Sequence, residues 1–181
     1  MIKLTYEDLL TQRLSPKDAL ETVRKPVIGI LENIRSLYNV GSCFRTADSM
    51  LLKKLILTGY TPSPPLKEIS KTALGADLSV PYEYYNNICE AIIKLKSEGF
   101  KVYALEQTDS SIDISKIDSV KDSNKIEYPL AFIAGNEISG VSEEALKLCN
   151  SAIEIPMLGV KHSLNVAVAF GIAAYQLTIR C

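Results

Sequence analysis

The chain is poor in metal-ligand chemistry. It has one histidine, His162, and four cysteines, Cys43, Cys89, Cys149 and Cys181, with no CxxC pair among them. A zinc site draws on three or four such ligands at short, regular spacings, so no metal is expected. Surplus charge is missing too: the formal net charge is −1. A domain that held nucleic acid by bulk charge would be basic, so any RNA or DNA contact has to come from local patches. No long apolar run is present. The uncharged stretch from Ser163 to Ile179 falls short of the ~20 residues of a spanning helix. Asn165, Gln176 and Thr178 interrupt it. A helix apolar on all sides at this length belongs in a core or a subunit interface, so no membrane is expected. The opening MIKLTYEDLL carries acids within its first ten residues and does not read as a signal peptide. The expected compartment is a reducing cytoplasm.

Two phosphate-binding signatures are also lacking. AGNEISGVS, Ala134 to Ser142, has Gly135 and Gly140 at P-loop spacing, but Val141 stands where the lysine should be. Without that charge nothing reaches the β- and γ-phosphates of a triphosphate. The first strand-to-helix turn, NIRSLYNVGSC, has a single glycine, which is a poor match to the GxGxxG of dinucleotide sites.

What is present is one ordinary globular domain, 47% hydrophobic and 23% charged over 181 residues. A chain of that size buries roughly 70% of its unfolded surface and needs no disulfide or metal to stay folded. Residues 1–25 read as a short amino-terminal extension of one or two amphipathic helices, with Ser15 as cap and Pro16 at the first helical position. Residues 26–181 read as the domain proper. Apolar runs PVIGILE, KLILTG, KVYALE and YPLAFIAG, with the shorter VPYEYY and SAIEIP, predict strands. Between them lie helical patterns: VGSCFRTADSM, with Asn39 as a plausible cap; EISKTALG, closed by Gly75; NNICEAIIKLKSEG; SEEALKLC; and a last helix from about Leu164 to Arg180. Asp109 to Glu127 is polar and serine-rich. Unalternating apolar strands that take turns with helices predict an α/β fold, a parallel sheet with helices on both faces.

In such sheets ligands bind where strands end and loops begin. Three polar clusters fall there. The first is Asn33 followed by Asn39, Gly41 and Arg45; Gly41 and Arg45 are one helical turn apart, which leaves room above the arginine. The second is Gly135, Asn136, Glu137 and Gly140. A glycine turn with Ser142 as helix cap accounts for most of it, but not for an acid at the end of an apolar strand. In the third, IPMLGVKHSLNVAVAFG, Ser163 suits a helix cap, and Asn165 is a polar residue in an otherwise apolar helix.

Together these clusters resemble the three motifs of the SpoU (TrmH-like) family of RNA 2′-O-ribose methyltransferases, in the SPOUT class. NVGSCFRTAD is similar to the first, FIAGNEISGVS to the second and IPMLGVKHSLNVAVAFGIA to the third, while LTGYTPSPP and KTALGAD fit the stretches between. The resemblance covers about Pro26 to Ile179. It implies a carboxy-terminal deep trefoil knot, which periodicity does not reveal. It implies S-adenosyl-L-methionine as methyl donor, with Gly135, Ile155 and Leu164 at the cofactor and Leu105, Glu106, Met157 and Gly159 near it. It implies a catalytic set of Asn39, Arg45, Glu137, Ser163 and Asn165, with Asn39 and Arg45 on the RNA side. It implies a homodimer, which would cover the apolar last helix. For RNA phosphates the candidates are Arg35, Arg45 and Lys71, with Arg24, Lys25 and Lys161 as weaker ones. The implied reaction is 2′-O-methylation of ribose in tRNA or rRNA. The competing classes are an RNA-binding module of the same fold without the chemistry, and an α/β protein built for another nucleotide ligand.

Overall fold

The computed structural model describes residues 1–11, 14, 18, 21–117 and 126–181. A short helix, α1 (Tyr6–Thr11), has every residue exposed. Ser15 and Pro16, the expected cap and first turn of a further helix, lie outside the described residues. The domain begins with β1 (Lys25–Glu32) and continues through α2 (Leu37–Ser49), β2 (Leu52–Thr58), α3 (Lys67–Ala73), α4 (Ala76–Ser79), β3 (Tyr82–Tyr85), α5 (Ile88–Ser97) and β4 (Lys101–Leu105). Then come β5 (Ile112–Asp113) with a 3₁₀ turn (Ile114–Lys116), β6 (Leu130–Ala134), α6 (Glu143–Leu148), β7 (Ser151–Glu154) and α7 (Val166–Thr178).

The described strands form one sheet in the order β3-β2-β1-β6-β4-β7-β5, and every pairing is parallel. Strand residues point alternately to the two faces. Val27 and Leu31 of β1, Leu55 and Leu57 of β2, and Leu130 and Phe132 of β6 enter a core shared with α2, α3 and α7. Ile28, Ile30, Ile56, Ala131 and Ile133 enter a second core, with α5 and α6. Both faces are covered, as the unalternating strands require. Because the strands run the same way, β1, β6, β4 and β7 all release their loops at one edge of the sheet, which is where the candidate site lies.

Gly29, in the middle of β1, exists to seat α7. A side-chain carbon there would lie 2.7 Å from the Phe170 ring and 2.9 Å from Leu55. Phe170 is fully buried and packs on Phe132, with ring centroids 4.9 Å apart.

Several local expectations are corrected. The cap of α2 is Ser36, whose hydroxyl accepts from the Asn39 N–H; Asn39 itself is in the first turn. The cap of α7 is Asn165, not Ser163, and the helix runs Val166–Thr178 within the expected span. The helix expected to close at Gly75 stops one residue earlier, at Leu74 in the left-handed region, and Gly75 then opens α4. The space at Gly41 is not open above Arg45. The Ile69 carbonyl and Thr72 hydroxyl of α3 occupy it, so Gly41 lets two helices approach closely. Within the polar stretch after Asp109 there is a two-residue strand, β5, at the sheet edge.

Gly29→Ala should destabilise the fold by about 1–3 kcal/mol, the range for overpacking a filled core. Combining it with Phe170→Leu should cost less than the sum of the two single changes, because the smaller side chain makes room. Urea midpoints of the four proteins test this; strict additivity would show that the two positions do not share that space.

Candidate active site

The site is organised by one carboxylate. Glu137, just past β6, accepts from the Arg35 N–H (3.0 Å) with one oxygen. Its other oxygen accepts from the Ser36 N–H (3.2 Å) and from Asn39 Nδ2 (3.0 Å). These donors sit at the amino-terminal end of α2, where unpaired N–H groups and the helix dipole favour a negative charge. Asn39 passes the link on. Its Oδ1 accepts from Asn165 Nδ2 (3.2 Å), and Asn165 Oδ1 accepts from the Ala167 N–H to cap α7. Glu137, Asn39 and Asn165 thus form one hydrogen-bonded chain across three segments distant in sequence. Partial burial pushes the Glu137 carboxyl upward, but the hydrogen bonds from Arg35, Asn39 and Ser36 outweigh it and hold its pKa below the usual carboxylate range. On the buried face of α2, burial and then the Glu137 charge push the Cys43 thiol far up, so it stays protonated.

Asn136 anchors the same place from below. It is 8% exposed. Its Nδ2 donates to the Asn33 carbonyl (2.7 Å) and to the Tyr60 hydroxyl (2.9 Å). Its Oδ1 accepts from the N–H groups of Ile138 (2.9 Å) and Ser139 (3.1 Å). A buried amide whose polar atoms are satisfied in this way fixes the ends of β1, β2 and β6 together.

Beside this cluster lies a cleft of about 780 Å³ between the ends of β4, β6 and β7 and the segment 155–166. Its shape depends on close backbone packing. At Gly135 a side-chain carbon would collide with the main chain of Gly140 and Val141. Asn136 and Gly140 exchange two main-chain hydrogen bonds of 3.0 Å. Gly140 has φ 69° and lies against the Glu106 carboxylate, so both its backbone conformation and the lack of space require glycine. Glu106 accepts from Val141 N–H (3.0 Å) and Gln107 N–H (2.9 Å). The Gln107 amide donates to the His162 carbonyl (2.8 Å), which joins the two sides of the cleft. Glu32, 2% exposed at the end of β1, accepts from the Ser142 N–H (3.1 Å) at the start of α6.

Of the expected cofactor residues, Leu105, Glu106, Gly135, Ile155, Met157 and Leu164 line this cleft, with Glu137 and Ser163 from the expected catalytic set. Gly159 is not among the lining residues; it is exposed, with open space around it. Arg45 is exposed on α2, and among the described residues its guanidinium forms no hydrogen bond or ion pair. Arg35 and Lys71 are exposed as well. Arg24 is engaged otherwise: its guanidinium donates to the carbonyls of Leu52 and Ser79, a structural use rather than a free positive group. Among the described residues no group of three or more His, Cys, Asp and Glu side chains is placed to hold a metal ion.

Residues 26–175 match the model of the SpoU rRNA Methylase family. The chain belongs to this family. It is 33% identical over 147 residues to the tRNA (guanosine(18)-2′-O)-methyltransferase of Thermus thermophilus, a match that covers 81% of this chain and 71% of the relative. It is 28% identical to the enzyme of the same name from Escherichia coli, over 84% of this chain and 63% of the relative. It therefore spans less than two thirds of that relative's length. Among solved structures, the A. aeolicus TrmH/SpoU tRNA modifying enzyme superposes with a TM-score of 0.77 at 26% identity, covering 96% of this chain and 83% of that one. An AdoMet-bound rRNA methyltransferase from Sinorhizobium meliloti superposes with a TM-score of 0.73 at 27% identity, covering 91% and 60%. The parallel α/β sheet of this chain matches these SpoU folds.

The depressed Glu137 carboxyl makes a signed prediction. A carboxylate whose pKa falls on folding adds stability above its ordinary pKa of 4.5, and that stability is lost as pH falls through the lower, folded value. The gap in thermal midpoint between the wild type and Glu137→Gln should stay level above about pH 6 and shrink below the ordinary carboxylate pKa. A gap that widened on acidification would refute the hydrogen-bonded carboxylate as the organising charge.

Proposed function

We propose that the chain transfers the methyl group of S-adenosyl-L-methionine to a ribose 2′-hydroxyl of tRNA or rRNA. The observation that carries this is the hydrogen-bonded chain Glu137–Asn39–Asn165 beside the cleft, which unites the three motifs. Relatives named for 2′-O-methylation of tRNA and of 23S rRNA support it, as does a similar structure described as AdoMet-bound.

The cleft suits the cofactor. Its volume lies within the ~300–1,000 Å³ common for small-molecule sites. Its lining includes Gly135, Ile155, Leu105, Met157 and Leu164. When bound, the cofactor supplies an electrophilic methyl group on a sulfonium. Glu106 has each carboxylate oxygen on an N–H group of the wall, so its part is to hold the 140–141 turn in shape. Gly159 has no place in the cleft and is assigned no contact.

The hydroxyl has to lie in line with the bond that breaks and has to lose its proton. Orientation supplies ~7–11 kcal/mol, and a general base a 10²–10⁴-fold acceleration, about 3–5 kcal/mol. Positioning is therefore the larger part, and a rigid polar cluster is the means of achieving it. Arg45 has its fork open to solvent. A guanidinium stays protonated, so we assign it a bidentate clamp on an RNA phosphate and stabilisation of the forming alkoxide. Arg35 and Lys71 are the further phosphate contacts, and Ser163 borders the substrate at the cleft rim.

Two finer features belong to the same proposal. Val168 and Tyr175 on α7, with Leu164 before it and Ile179 just after it, are exposed apolar residues. A homodimer covering them accounts for their exposure. β6 lies between β1 and β4, β7 lies beyond β4, and the chain returns along the cleft to seat α7 on β1 and β6. That crossing supports a knotted carboxy-terminal part. An RNA substrate of this kind supports a cytoplasmic location. No described helix is long and apolar enough to cross a membrane.

Total RNA from cells lacking the gene should miss one 2′-O-methylated nucleoside by mass spectrometry; an unchanged spectrum would sink the proposed activity. By calorimetry, Leu164→Trp should weaken S-adenosylmethionine binding and Arg45→Ala should not. The reverse pattern would overturn the division between cofactor side and RNA side. Arg45→Lys should keep weak activity with no new titration near neutral pH. Activity absent at neutral pH and returning as pH nears the lysine pKa of ~10.4 would make Arg45 the base instead. Light scattering should give twice the monomer mass.

A further inference from the structure

Tyr60 follows Gly59, which ends β2 with φ 62°. Its side chain is 62% exposed, yet it is held at both ends. The phenol oxygen accepts from Asn136 Nδ2 (2.9 Å), and the main-chain N–H donates to Asn33 Oδ1 (3.3 Å). The partners are themselves fixed. Asn33 is in the left-handed region at φ 54°, its side chain fills the space beside Gly59, and the Gly59 carbonyl accepts from the Tyr84 hydroxyl. Asn136 is buried and saturated, and the next residue is Glu137.

A surface tyrosine in an ordinary loop needs none of this. The phenol oxygen satisfies a buried N–H of Asn136 and so supports the fold as well. The two anchors also hold a largely exposed aromatic ring at a set position, beside the residue that adjoins the carboxylate organising the site. RNA read outside a duplex is gripped by such rings, because unpaired bases stack on exposed aromatic faces. Arg35, exposed on the adjoining loop, adds positive charge for the backbone beside the base.

We propose that Tyr60 is a stacking platform for a base of the RNA substrate. This rests on the methyltransferase function proposed above and adds an RNA-binding residue to it.

The test is steady-state methylation of total RNA from cells lacking the gene, with wild type, Y60F and Y60L, alongside S-adenosylmethionine affinity by calorimetry. Y60F keeps the ring and loses the hydroxyl anchor, while Y60L keeps apolar bulk and loses the ring. Y60L should raise KM for RNA by roughly 5- to 150-fold, the span of one lost base–aromatic stack. Y60F, which keeps the ring but loses the bond to Asn136, should raise KM clearly less than Y60L does, and all three should bind the cofactor equally. Equal damage in Y60F and Y60L would make Tyr60 a strut for Asn136 and overturn the proposal, as would a Y60L indistinguishable from wild type. Should Y60L fail to fold, Y60H, which retains a ring, compared with Y60A gives the same contrast. Failure of the underlying function would look different: the wild type itself would not methylate the RNA.

Discussion

A carboxylate set against the amino-terminal end of a helix is the constraint on which this site depends. Glu137 takes two main-chain N–H groups and one side-chain amide from the start of α2. Those N–H groups have no partner inside the helix, so the fold must satisfy them from elsewhere. Once Glu137 does so, the geometry propagates. Asn39 is oriented by giving its amide N–H to Glu137, which leaves its oxygen for Asn165. Asn165 is then the residue that starts α7, and α7 is placed by Phe170 resting over Gly29. The polar chain and the core thus have to agree on one position for each helix.

The neighbouring carboxylates follow the same principle. Glu106 and Glu32 hold consecutive main-chain N–H groups, those of Val141 and Ser142. Glu137, Glu106 and Glu32 are thus each turned onto N–H donors rather than toward a ligand, while a further acid, Glu154 at the end of β7, also lines the cleft. Among the described residues Arg35, Arg45, Lys71 and Lys161 enter no ion pair. A net charge of −1 averages over the whole molecule. The field where a ligand would approach is set by which charges remain uncompensated, and that distinction cannot be made from composition.

The strands were legible because burial on both faces leaves a continuous apolar run, as in Val27 to Leu31 and Leu130 to Ala134. Ser142 was legible as a cap because its hydroxyl bonds only three residues ahead. Asn39 and Ser163 were misassigned as caps for the opposite reason. Either residue type caps well locally, but here Ser36 and Asn165 take that role, and Asn39 is recruited by a carboxylate 98 residues away in sequence. Gly41 misled in the same way, since the atoms that need its missing side chain belong to α3. Two paired residues cannot announce a strand, so β5 passed as loop. Glu137 stood out as an acid ending an apolar strand. Asn136, in the same cluster, had no role to be read, because the residues it joins, Asn33 and Tyr60, carry no sign of a common partner.

The cleft and the polar cluster differ in what they ask of the sequence. The cleft is built from main chain at close range, and its identity lies in what is missing: a side chain at Gly135 or Gly140 would strike the Gly140–Val141 turn or the Glu106 carboxylate. The cluster needs particular side chains, because Glu137 can only accept while Asn39 and Asn165 each donate and accept in a fixed order. A substitution in the cleft wall therefore acts through shape, and one in the cluster acts through the direction of a hydrogen bond. Both demands meet in Glu106. It faces the cleft as one of its lining residues; its Oε2 holds the turn whose glycines give the cleft its shape, and its Oε1 accepts from the Gln107 N–H. Loss of its charge would be felt first as a change in cavity geometry, before any contact with a ligand is considered.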